Sequence, residues 1–146
     1  MSLSRLPNWT TRLDSFLASR RSVPFKYGTN DCVLFAIDAV LAVTGTDLGR
    51  PFRGKYKSAR GAASVMRRYA GAAGLQSCAA ALAAAWDLCA IRPAHAQRAD
   101  VGYGIDPEFG PTVVVRGADA WFGPGPAGTA RSHATVLLAW AVGRSV

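Results

Sequence analysis

Histidine is scarce in this chain: His95 and His133 are the only two among 146 residues. Cysteine is almost as rare. Cys32, Cys78 and Cys89 lie far apart, with no Cys-x-x-Cys pair. That excludes a zinc ribbon or finger, and an odd, scattered set makes no disulfide framework. With dispersed carboxylates and distant histidines, no metal or cofactor is implied. Acidic residues are few, 9 against 17 Lys and Arg, which leaves a net charge of +8. Such an excess suits a polyanion or an acidic partner protein. The basic residues, however, form no dense run: they fall at Arg20-Arg21, across residues 50–57 and at Arg67-Arg68. No stacking aromatics are interleaved with them, which argues against nucleic acid. Long apolar runs are missing too. Residues 33–43 are broken by Asp38 and too short to span a bilayer. The first residues, Met-Ser-Leu-Ser-Arg-Leu-Pro, contain no apolar h-region, so no signal peptide is expected and synthesis is expected in the cytoplasm.

Half of the residues are apolar and 18% are charged, a globular composition whose length fits one domain over 1–146. Asn8 is placed to cap a first helix running to about Ser19, with Trp9, Leu13, Phe16 and Leu17 on one face. A second, strongly apolar helix is predicted over 32–43, capped by Asn30 or Asp31 and stopped by Gly45. Val33, Ile37, Val40, Leu41 and Thr44 share a face, so this helix should be central. A polar loop over 47–56 leads to a third helix over 58–69. An alanine-rich fourth is predicted over 76–89, with Cys78 and Cys89 on one buried face. Glycine, proline and β-branched residues then take over. Strands are expected at 100–103, 111–116, 118–122 and 135–142, with a loop at 123–128. Helices first and strands second predict an α+β fold, with N-terminal helices packed on a small C-terminal antiparallel sheet.

Cys32 stands at the start of the apolar helix, where unpaired N–H groups and the helix dipole favour a thiolate. That environment prepares a cysteine nucleophile, which also needs a histidine base and oxyanion donors. The alternative is a buried or vestigial thiol. Capping suffices to explain Asp31. His95 precedes the expected first strand and His133 the last, so each also reads simply as an exposed loop histidine.

The segment Pro24-Phe25-Lys26-Tyr27-Gly28, followed by Asp31-Cys32 opening an apolar helix, resembles the nucleophile segment of the NlpC-type cell-wall cysteine peptidases. The similarity is greater to phage and prophage tail-tip relatives of that family. It extends to Trp9 with Arg12-Leu13, residues 53–56, Asp100-Val101, residues 113–117 and Ala139-Trp140. The resemblance implies a papain-like fold and a place at the phage virion tail tip, beside hub and distal tail proteins, with peptidoglycan as a second partner. It implies Cys32 as nucleophile. Two family features are replaced. The strand that packs beside the cysteine helix would open with histidine, but the matching residues are Gly110-Pro111-Thr112. The oxyanion tyrosine is matched by Phe25, which has no hydroxyl. Only His133 and His95 remain as base candidates. A tail-tip assembly component on a degenerate peptidase fold is therefore the first expectation. An active cysteine peptidase or amidase is the second, and a polyanion binder the third.

Overall fold

In a computed structural model, which describes residues 2–146, four helices precede six strands. The helices are α1 (Trp9–Ser19), α2 (Cys32–Thr44), α3 (Ala59–Ala70) and α4 (Leu75–Ala85). The strands are β1 (Cys89–Ile91), β2 (Val101–Asp106), β3 (Gly110–Arg116), β4 (Trp121–Pro124), β5 (Thr129–Arg131) and β6 (Thr135–Ala141). They form one antiparallel sheet in the order β1-β6-β2-β3-β4-β5. The α+β layout expected from the sequence is the one observed. No helix among the described residues is long and apolar enough to cross a membrane.

Helix α2 is buried around nearly its whole circumference, because α1 covers one side and β3 and β4 the other. Asp31 caps it, accepting a hydrogen bond from the Leu34 N–H at 3.0 Å, and Gly45 closes it at φ 77°. Phe16 of α1 packs on Phe35 of α2, ring centroids 5.1 Å apart. Asn8 occupies the cap position of α1 without a side-chain capping bond. Arg12 instead ties α1 to α2 by donating to the Ala42 carbonyl near the α2 C-terminus. On the sheet, the pairs Val101↔Val115 and Tyr103↔Val113 put four side chains on the face toward the helices. Each such side chain contributes about 1.5–3 kcal/mol by leaving water.

Asp38, the charge that interrupts the apolar run, is buried in the middle of α2. It pairs with Arg20 at 2.7 Å and with Arg53. Asp100 is fully buried just before β2. It accepts from Arg5 at 3.1 Å, from Arg144 at 2.6 Å and from the Val142 N–H at 3.1 Å. One carboxylate thus holds both ends of the described chain against the sheet.

Three expectations are corrected. Helix α4 ends at Ala85, and the chain turns through Asp87 at φ 52°. Cys89 therefore lies exposed in β1, a strand the sequence did not announce, and only Cys78 is a buried thiol of α4. The loop expected at 123–128 is shorter, because β4 continues to Pro124 and a two-stranded extension with β5 follows. Glycine and proline here shape a tight hairpin, with Gly125 and Gly128 exchanging backbone bonds.

Candidate functional site

The Pro24-to-Cys32 segment and the Arg53-to-Tyr56 segment, separate in sequence, form one buckle. Gly28 adopts φ +84°, and a Cβ there would stand 2.0 Å from the Tyr56 carbonyl oxygen. Only glycine fits. The Gly28 carbonyl accepts from the Gly54 N–H at 3.0 Å. The Gly28 N–H donates to Asp31 Oδ2 at 2.9 Å, and the Tyr56 hydroxyl donates to the same oxygen at 2.7 Å. Burial, and then the Asp31 bond, push the Tyr56 phenol far above its ordinary range. Both Asp31 oxygens are thus occupied by the protein itself. Behind the buckle, Asn30 accepts from Arg20 at 3.0 Å and donates to the Val23 and Pro24 carbonyls, each at 3.1 Å. The Phe25 N–H donates to the Gly125 carbonyl at 2.9 Å, so the β4–β5 turn is fastened to the same loop.

Cys32 is the first residue of α2 and is half-buried. Burial is the largest influence on its thiol and pushes its pKa up. Bonds to the Val113 backbone and the Thr112 side chain oppose this, and the neighbouring Asp31 charge reinforces it. The thiolate expected from the helix terminus is therefore opposed by burial of the thiol. Asp31, Val33, Thr112 and Val113 bear on the thiol, and no histidine is among them.

In front of Cys32 opens a cleft of about 830 Å³. One wall is α3, through Ala62, Ala63 and Met66; the other is β3, through Pro111 and Thr112. Arg131 at the end of β5, and Ser132 and His133 in the segment between β5 and β6, line it as well. His133 is exposed. Asp106, at the β2–β3 turn, also lines the cleft. Its carboxyl is held below the ordinary range by bonds from the Phe109 and Glu108 N–H groups and by His133. His95 lies elsewhere, exposed on the 3-10 turn Pro93–His95 that packs against β6. The structure thus brings Cys32 and His133 to one cleft and leaves His95 out.

Trp121 and Phe122, aromatics of β4, are not free to anchor a partner. Both are half-buried: the Trp121 ring occupies the space over Gly102 and Phe122 that over Gly117. The large apolar side chains exposed at the cleft are Phe25 and Phe109. Sequence reasoning missed Tyr56 as the clasp on Asp31 and Asp106 as a neighbour of His133. For Tyr56, a buried glycine loop in need of a partner was the available signal. For Asp106 there was none short of the hairpin itself.

A family model described as Domain of unknown function (DUF6950) matches residues 4–142. No curated protein and no solved structure matches the chain.

Proposed function

The chain belongs to the DUF6950 family; from the resemblance of its motifs to NlpC-type tail-tip relatives we propose that it is an assembly component of a phage or prophage tail tip, built on a degenerate papain-like fold of the NlpC type. The observation that carries this reading is the neighbourhood of Cys32. A cysteine nucleophile in acyl transfer needs a base within hydrogen-bond reach and an acid for the leaving group. At the start of β3, where the resemblance calls for histidine, Thr112 meets the thiol. The papain-like assignment is supported by a cysteine-bearing helix packed on an antiparallel sheet in the expected order. In this role the cleft binds rather than cuts, and the partners are neighbouring tail-tip proteins such as the hub and distal tail proteins. The test is complementation of a tail defect with Cys32→Ala. Tails with normal tips by negative-stain microscopy, and normal infectivity, are expected. Normal tips with lost infectivity would overturn the non-catalytic reading.

One observation favours a second reading. Cys32 and His133 line the same cleft, with Asp106 beside His133. Were the β5–β6 segment to close, His133 would take the thiol proton as Cys32 attacks a stem-peptide carbonyl, and would return it to the leaving amine. Backbone N–H groups at the α2 N-terminus would hold the oxyanion. That peptidase or amidase predicts loss of peptidoglycan hydrolysis in both Cys32→Ala and His133→Ala, with His95→Ala unaffected.

A further inference from the structure

From Leu48 to Trp86 the chain carries no acidic residue, yet it carries Arg50, Arg53, Lys55, Lys57, Arg60, Arg67 and Arg68. This one-sign stretch builds α3 and the loop before it, and α3 is a wall of the cleft. On the helix, Ala59, Ala63 and Met66 face the cleft. Arg60 and Arg67, seven residues apart, form a row on the adjoining shoulder, about 10.5 Å from one another along the axis. Both are exposed, and neither has an ion-pair partner among the described residues. The arginines that stabilise the fold contrast with them: Arg5, Arg20, Arg53, Arg98 and Arg144 are each spent on an aspartate. Across the cleft, Arg131 adds a third exposed cation. Between these rims much of the lining is apolar, with Phe25, Met66, Leu75, Phe109 and Pro111. The carboxylates that also line it are engaged by the protein itself, Asp31 by Gly28, Leu34 and Tyr56 and Asp106 by the Glu108 and Phe109 N–H groups. Phe109 is 68% exposed and, with the exposed Phe25, offers apolar surface at this cleft.

We propose that the cleft and the α3 shoulder form a docking groove for an acidic, extended segment of a partner protein. Its apolar side chains seat between α3 and β3, and its carboxylates face Arg60, Arg67 and Arg131. The proposal rests on the reading of the cleft as a binding site. Charge complementarity selects the sign of the occupant, and the apolar floor selects side-chain anchors of the kind that dominate interfaces. A single-stranded nucleic acid fits less well, since base stacking needs exposed aromatics along the basic track of residues 50–68, and the exposed Phe25 and Phe109 belong to the cleft instead. Here Phe52 and Tyr56 are buried behind that track and Tyr69 is half-buried.

A displayed library of random peptides, selected on the purified chain, tests this. Enriched peptides should combine Asp or Glu with Leu, Phe or Trp, and should bind less tightly as salt rises. The double variant Arg60→Glu/Arg67→Glu should weaken a synthesised winner by about tenfold or more, as read by fluorescence anisotropy. Ala63→Trp, which fills the cleft without changing charge, should weaken it similarly, and oligothymidylate should not compete. No enrichment, enrichment without acidic bias, affinity unchanged by the charge reversal, or competition by the oligonucleotide would each overturn the docking proposal while leaving a scaffold role standing. Mass spectrometry of the bound peptide separates the two readings. An intact peptide is expected, whereas cleavage abolished by Cys32→Ala would overturn the non-hydrolytic reading and leave the acidic preference in place.

Discussion

Gly28 and Cys32 show how differently two residues of one motif can be read. At Gly28 the backbone alone decides, since φ +84° and the Tyr56 carbonyl leave no room for a side chain. Gly28→Ala should cost about 3 kcal/mol, from backbone strain plus displacement of the Tyr56 loop, measured as a fall in the urea midpoint. An unchanged midpoint would mean that the two loops are not interlocked. At Cys32 two opposing effects meet, and the sequence displays only one of them. The helix terminus is legible from Asp31 and the apolar run that follows. Burial against β3 depends on strands some eighty residues later and is not. With the thiol pKa raised and the thiol half-buried, iodoacetamide at neutral pH should modify Cys32 more slowly than a model thiol, and the exposed Cys89 should react first. Faster labelling of Cys32 than of Cys89 would indicate an activated thiolate.

Among the elements, those built on strong local signals are legible in advance. Helices α1, α2 and α3 begin and end where caps, apolar period and glycines place them. Helix α4 is overextended by its alanines, because propensity does not register the turn at Asp87, where tertiary pairing of β1 with β6 takes over. Strands β1 and β5 are three residues each, too short to show alternation. Asp38 is the clearest charge signal within an element: a carboxylate inside an apolar helix must find cations, and Arg20 and Arg53 supply them. Asp38→Ala should destabilise by about 2–3 kcal/mol, less than for a fully buried pair because both arginines keep part of their contact with water. The check is thermal unfolding of the variant beside Arg53→Ala and the double mutant. A non-additive cycle is expected.

For the whole molecule, Asp100 clasps the two ends of the described chain through Arg5 and Arg144, both largely shielded from water. Asp100→Ala should cost about 3–5 kcal/mol and expose the N-terminal segment to limited proteolysis. Stability at high pH should reflect Cys78, which burial pushes from 9.0 up to about 12. Its folded pKa is raised, so the folded state keeps the proton while the unfolded chain loses it. Stability is therefore full below pH 9.0 and falls as pH rises toward about 12. The slope approaches about 1.4 kcal/mol per pH unit for this one group, and Cys78→Ala should flatten it. The surface divides in a way that composition alone conceals. Much of the negative charge is engaged in holding the fold together, so that Arg60 and Arg67 on α3 and Arg131 at the cleft stand without an ion-pair partner among the described residues. The sequence displays the cations, but which of them are already paired becomes visible only in three dimensions. The most direct test of a cleft that binds without cutting is dye release from purified Gram-negative peptidoglycan, comparing the wild-type chain with Cys32→Ala. A scaffold predicts no release from either. Release by the wild type that vanishes in Cys32→Ala would contradict it and make Cys32 a working nucleophile.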